Sequence, residues 1–237
     1  ACLVPTAAPH LSESLPQHWN ARAWLSGFSG SAGSLLVTAD FAGLWTDSRY
    51  WVQAESQLRG SGITLMRAGA PDVPDMLDWV RDHLGRGDRL GADGRVMDRA
   101  ATLRWQSGLD KVGVGLVLNL DPVDAVWADR PGLPTAPVYE HLPPHACRTR
   151  ADNLTAVRAA MQALGADLHL LSTLDDIAWL LNLRGADVDY NPVFLAHALI
   201  DGQQVRLYVA PGKIPVDLAD RLAADGVVLR DYTAVAA

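Results

Sequence analysis

Residues 21–58 read ARAWLSGFSGSAGSLLVTADFAGLWTDSRYWVQAESQL. A short stretch of helical composition, 21–25, runs into three glycines, Gly27, Gly30 and Gly33, interleaved with serines. Two apolar runs follow, GSLLVTA (33–39) and GLWT (43–46), with the residue types of strands and a hairpin turn over Asp40–Gly43. Ser48 then stands where it could cap a helix over 49–58. A glycine run that cradles phosphate follows a strand and opens a helix, so that amides and dipole meet the anion. This one follows a helix and enters a strand, and no Gly-Lys-Ser/Thr is present. It therefore reads as a turn and packing element, with a cleft lined by its backbone amides as the functional alternative.

Outward from this stretch, strands and helices alternate. Strands are expected over 1–5, 63–67, 89–93 and 115–119, and helices over 71–84 and 97–109. Residues 129–144, DRPGLPTAPVYEHLPP, hold five prolines, which remove donors and fix φ, so a connector is expected there. Beyond it come helices over 150–164, 174–182 and 215–224, and strands over 168–172, 194–201, 204–210 and 226–230. The pattern predicts an α/β protein. The two halves also rhyme: ARAWLSGFSGSAGSLLV and IAWLLNLRGADVDYNPVFLAHALI share a tryptophan-bearing helix, a glycine-bearing loop and a hairpin, as a fold-level duplication would. Trp24, Trp45 and Trp179, each in an apolar element, are expected to be buried.

Composition narrows the function classes. The 237 residues are 49% hydrophobic, enough for a sizeable core. The net charge of −7 and the absence of a Lys/Arg cluster argue against nucleic acid. Lys111 and Lys213 are the only lysines, and Glu13, Glu55 and Glu140 the only glutamates. No apolar run reaches membrane-spanning length. Cys2 and Cys147, far apart and without metal spacing, suggest a reduced, cytoplasmic setting. ACLVP is too short for a signal peptide and reads as a strand already under way, so the chain is expected to begin inside a domain.

Candidate chemistry is sparse. Asp47 and Arg49 flank Ser48 at a strand end, where α/β proteins open clefts; the bland alternative is a surface ion pair. His141 and His145 are four apart, but two prolines between them forbid the helix of a zinc motif, so they read as connector residues. His169 and His197 are expected as half-buried strand residues. Asp175 and Asp176 begin a helix and read as capping carboxylates rather than metal ligands. No nucleophile elbow or Cys–His set is present in a credible context.

Five segments, taken in order, resemble a known family. They are VPTAAPHLSESLP (4–16), ARAWLSGFSGSAG (21–33), GLWTDSRYWVQAE (43–55), VWADRPGLP (126–134) and TLDDIAWLLNLRGADVDYNPVF (173–194). Together they are similar to successive signature segments of the cytosolic three-domain Xaa-Pro aminopeptidases (aminopeptidase P). The resemblance implies two creatinase/prolidase N-terminal-like, ribonuclease-H-like domains with mixed sheets flanked by helices. They would span 1–140, apparently without its first helix, and 141–237, apparently ending before it is complete. A catalytic domain holding two metal ions, usually manganese, would lie outside this sequence. Asp176 and Asp187 have the spacing of the family's metal-binding aspartate pair, but their setting differs, and no glutamate follows Glu140 to complete the ligand set.

The resemblance thus implies no catalytic residue, no metal ligand and no cofactor in this chain. Arg49 would reach the bound peptide, with Asn191 second. The implied partners are a peptide substrate with proline second and the protein's own catalytic domain, with a homodimer left open, and no nucleic acid or membrane. A non-enzymatic protein-binding module on the same fold is the alternative. A carboxylate-metal nuclease is disfavoured by the acidity and the aspartate contexts.

Overall fold

The computed structural model describes residues 1–236 and divides into two compact units, Ala1–Pro131 and Gly132–Ala237. The division falls inside the proline-rich connector but before the expected 140/141 boundary. Long-range pairing explains the difference. Val138 donates its N–H to the Lys213 carbonyl and is buried in the second core, and Tyr139–Glu140 pairs with Leu183–Arg184.

The first unit contains β1 (Cys2–Pro5), α1 (Ala21–Ser26), β2 (Ser34–Val37), β3 (Ala42–Thr46), α2 (Trp51–Gln57) and β4 (Thr64–Arg67). It continues with α3 (Met76–His83), β5 (Arg89–Ala92), α4 (Arg99–Asp110) and β6 (Gly115–Val117). Its mixed sheet has the order β4-β3-β2-β1-β5-β6. β1–β2 and β2–β3 are antiparallel, while β3–β4, β1–β5 and β5–β6 are parallel.

Alternation along the strands sends neighbouring residues to opposite faces. Leu3, Leu36 and Trp45 pack with Trp79, Trp105 and Leu109 on one side, and Val4, Leu35 and Leu44 with Phe28, Ala54 and Trp127 on the other. Both faces are covered, which is why these strands read as continuous apolar runs rather than alternating ones. The helices start where acceptor side chains meet orphan amides: Asp75 accepts from the Leu77 N–H and Asp98 from the Ala101 N–H.

The second unit contains β7 (Tyr139–Glu140), α5 (Arg150–Ala163), β8 (His169–Leu171), α6 (Leu174–Leu181), β9 (Leu183–Arg184) and β10 (Ala196–Ile200). It closes with β11 (Val205–Val209), α7 (Val216–Ala224) and β12 (Val227–Asp231). A capping box between Thr149 and Asp152 opens α5. The four-stranded sheet has the order β12-β11-β10-β8, with β8–β10 and β10–β11 antiparallel and β11–β12 parallel. These pairings repeat those of β1 through β4, with α6 in the place of α1 and α7 in the place of α2. The rhyme between the halves is therefore a repeat of topology, to which the first unit adds β5 and β6.

Several local expectations are corrected. Ser48 caps nothing: α2 begins three residues later, at Trp51, with Tyr50 at the N-cap position and no side-chain cap. The β2–β3 turn closes over Thr38–Phe41, where the Thr38 hydroxyl takes the Phe41 N–H, and not over 40–43. Trp45 is buried, but Trp24 is 41% and Trp179 51% exposed. Helix phase gives the reason. On α1 the buried residues are Arg22 and Ser26, and on α6 they include Ile177, Ala178 and Leu181, so positions 24 and 179 face away. Trp24 keeps one face covered by stacking on Trp127 at 4.9 Å. His169 is exposed rather than half-buried, while His197 is buried, with its Nδ1 2.9 Å from the Ser172 hydroxyl.

Candidate functional site

The stretch around Gly27–Arg49 folds into one polar corner of the first unit. Gly27 ends α1 with φ near +69°, a left-handed cap that only glycine adopts without strain. The chain then loops back over Arg22, which is 3% exposed. The Arg22 guanidinium donates to the Phe28 and Gly30 carbonyls and, at 2.8 Å, to the Thr6 hydroxyl. Burial pushes its pKa down to about 10. Gly30 is required by packing: a Cβ there would lie 2.2 Å from the Phe28 ring and 2.8 Å from Tyr50.

The loop is tied to the WTDSRY segment by side chains. The Tyr50 hydroxyl lies 2.7 Å from the Ser31 hydroxyl, and the Tyr50 ring meets Phe28 edge-on at 6.0 Å. The Ser29 N–H donates to Gln57 Oε1, and Gln53 and Gln57 both donate to the Ser29 hydroxyl. At the end of β3 the Thr46 hydroxyl donates to the Ala32 carbonyl, and the Trp51 indole N–H donates to the Thr46 carbonyl.

Arg49 stands on the rim of this corner. Its Nε and one Nη donate to the two Asp47 oxygens at 2.8 and 2.9 Å, and its backbone N–H to Asp47 at 3.1 Å. The guanidinium lies 5.2 Å over the Tyr50 ring, and the side chain is 65% exposed. Hydrogen bonding to Arg49 holds the Asp47 carboxyl at about 2, and the same pairing pushes the Arg49 guanidinium above its usual value. Asp47 occupies two of the five side-chain donors, so the fork is oriented, and the other three have no protein acceptor among the described residues. Arg49 is not part of the wall of a cavity of about 380 Å³ in the same unit, which is formed by residues such as Leu3, Trp45, Met97 and Trp105.

Asn191 belongs to the second unit. Gly185 permits the tight entry to its loop, since a Cβ there would lie 2.6 Å from Phe194 Cβ. The Gly185 and Asp187 N–H groups donate to the Pro192 and Val193 carbonyls. Tyr190, at φ +62°, carries the tip outward, and Asn191 bridges back to Val188. The Asn191 amide makes a long 3.4 Å contact with Asp175 Oδ1.

Beneath the loop, Asp187 and Lys213 form an ion pair whose side chains are 0% and 1% exposed. Asp187 also accepts the Leu195 N–H at 2.7 Å, and Lys213 donates to the Pro134 carbonyl. One buried cation thus pins both the NPVF segment and the proline-rich connector.

The aspartates do not fit a metal centre. Both Asp187 oxygens are taken by Lys213, Asp176 lies exposed in the first turn of α6, and among the described residues no group of three or more His, Cys, Asp or Glu side chains could hold an ion. Asp175 and Asp176 sit where the α6 dipole favours carboxylates, but no side chain caps that helix, which corrects the capping expectation. The sequence reading missed Arg22 and Lys213. The available signals were an arginine on the inward face of a short apolar helix and one of only two lysines in the chain.

Comparison with known proteins places both units. The family described as creatinase/prolidase N-terminal domain matches twice, over residues 15–127 and 129–237. The chain is 38% identical to Aminopeptidase P2 of Arabidopsis thaliana over 99% of its length, covering 33% of that protein. It is 36% identical to the Xaa-Pro aminopeptidase ApepP of Drosophila melanogaster over 92% of its length, covering 36% of that protein. The solved X-prolyl aminopeptidase of Caenorhabditis elegans, described as a cytosolic enzyme with a di-nuclear active site, superposes with a TM-score of 0.92 at 30% identity. That match takes in 98% of this chain and 38% of the solved one. The chain thus spans about a third of the length of these curated relatives.

Proposed function

The chain belongs to the creatinase/prolidase N-terminal domain family, two copies of which account for nearly all of it, and from that premise we propose that it is the non-catalytic N-terminal portion of a metal-dependent Xaa-Pro aminopeptidase. In this reading the complete enzyme removes the N-terminal residue from peptides with proline second. The present chain shapes the approach of the peptide and contributes to assembly with its catalytic domain and, in one arrangement, with a second copy.

The observation that carries the reading is Arg49, braced by Asp47 and Tyr50 yet open to solvent on the rim of a glycine–serine corner. A guanidinium held in one plane gives charge-assisted hydrogen bonds to peptide carbonyls or a carboxylate. Asn191, with an amide that can donate and accept, is the second proposed substrate contact. Hydrolysis itself is assigned to a domain outside this chain whose two ions are proposed to be manganese, with Asp187 kept for its ion pair with Lys213. Among the described residues no helix is long and apolar enough to cross a membrane, and a cytoplasmic location is proposed from the likeness to a cytosolic enzyme.

The purified 237-residue polypeptide is expected to release no N-terminal residue from a peptide with proline second, with or without Mn²⁺. Metal-dependent turnover that co-purifies with the chain would overturn the division of labour. Tight capture of a folded protein by this chain, with no effect of Arg49 or Asn191 on peptide turnover in the complete protein, would favour the protein-binding alternative.

A further inference from the structure

Tyr50 is the side chain that touches both the glycine–serine loop and Arg49. It is half-buried, and the sequence reading assigns it no role. Its contacts give it one.

Arg49 is held in two different ways. Asp47 grips the Nε and one Nη, in the plane of the guanidinium. That carboxylate takes its hydrogen bonds from the side chain and backbone N–H of Arg49 itself, so it ties the fork to the turn and to nothing beyond the turn. The Tyr50 ring supplies the second hold. The guanidinium carbon lies over it, 5.2 Å from the ring centre. An aromatic face attracts a cation through its quadrupole, which sets where the fork sits above the ring.

The ring is in turn seated by the loop. Its hydroxyl shares a 2.7 Å hydrogen bond with the Ser31 hydroxyl, and the ring meets the fully buried Phe28 edge-on at 6.0 Å. Gly30 leaves the space for it, since a Cβ there would lie 2.8 Å from Tyr50 Cδ1. The loop keeps this shape because the buried Arg22 guanidinium holds the Phe28 and Gly30 carbonyls, on either side of Ser29. The turn is fixed at its far end as well, where the Trp51 indole N–H reaches back to the Thr46 carbonyl at 2.9 Å. A chain of contacts thus runs from buried Arg22 through the loop and Tyr50 to exposed Arg49.

We propose that Tyr50 is a positioning residue for the peptide contact assigned to Arg49: its hydroxyl fixes the ring to the glycine–serine loop, and the ring fixes the guanidinium. The proposal rests on the aminopeptidase reading and goes beyond it by giving the loop a task, that of seating Tyr50. A misplacement of about 1 Å in a substrate-holding group can cost on the order of 100-fold in rate. Loss of one hydroxyl leaves the ring in place but loosens it, so a smaller effect is expected.

The test is a double-mutant cycle in the complete enzyme, read as kcat/KM on a peptide with proline second. Tyr50→Phe keeps the ring and removes the hydroxyl; Ser31→Ala, at an exposed loop position, removes the partner hydroxyl. Each is expected to lower kcat/KM about 3- to 10-fold with the circular dichroism spectrum unchanged. In the Arg49→Ala background neither should lower it further, because the group being positioned is gone. A purely structural Tyr50 would give the same fold loss in both backgrounds. Equal losses with and without Arg49, or full activity of both Tyr50→Phe and Ser31→Ala, would overturn the proposal while leaving the role of Arg49 standing. Unchanged kinetics in Arg49→Ala would instead remove that role and this proposal with it.

Discussion

Lys213→Met is expected to lower the unfolding free energy by about 3–5 kcal/mol, read from urea denaturation. Lys213 and Asp187 are both buried, and methionine fills the space of the lysine stem while removing its charge. The Asp187 carboxylate would then be left unpaired in the second core, with only the Leu195 N–H for company. The lost donor also frees the Pro134 carbonyl. The double variant Lys213→Met, Asp187→Asn should recover part of the loss, because asparagine is neutral and still offers an oxygen to the Leu195 N–H. A loss below about 1 kcal/mol in the single variant would mean that the pair is hydrated in solution. The expected loss also has a functional side, since the same ion pair holds the loop that presents Asn191.

Trp45→Ala is expected to cost about 3–5 kcal/mol, whereas Trp179→Ala should change stability by no more than about 0.5 kcal/mol. Trp45 is 6% exposed, stands edge-on to Trp79 at 6.0 Å and donates its indole N–H to the Pro74 carbonyl at 3.0 Å. Its removal leaves a cavity between the sheet and α3 and an unpaired carbonyl. Trp179 is 51% exposed on α6 and is not a member of the second core. Equal denaturation midpoints for the two variants would contradict the assignment of β3 to the core of the first unit.

The contrast between these tryptophans shows what the sequence made legible. Strand positions followed from continuous apolar runs such as SLLV and GLWT, because a sheet covered on both faces needs no alternation. The repeat of topology was visible in the order of elements. Residue type alone misplaced Trp24 and Trp179, and counting positions from Arg22 and Ile177 around their helices corrects both. The division between the units was blurred because Val138–Glu140 is drawn into the second unit by Lys213 and Arg184, partners 40 or more residues away in the chain.

The candidate site was half legible. Arg49 could be singled out from its strand-end position. The Ser31–Tyr50 contact, the Ser29–Gln53–Gln57 cluster and the Arg22 bonds that shape the corner beneath it are made between residues up to 28 apart. Arg22 and Lys213 escaped notice because charged side chains are seldom fully buried, and both are buried only because acceptors converge on them.

The central claim is that Arg49 serves a peptide and not merely Asp47. Both partners of that pair are exposed, so the pair itself contributes little to stability. Steady-state kinetics of the complete enzyme on a peptide with proline second separates the two roles, comparing wild type with Arg49→Ala and Arg49→Lys. If Arg49 positions the substrate, Arg49→Ala should lower kcat/KM at least about 10-fold with an unchanged thermal midpoint, and Arg49→Lys, which keeps the charge but loses the planar fork, should rescue it only in part. Unchanged kinetics in both variants would contradict the claim and leave Arg49 as the surface partner of Asp47.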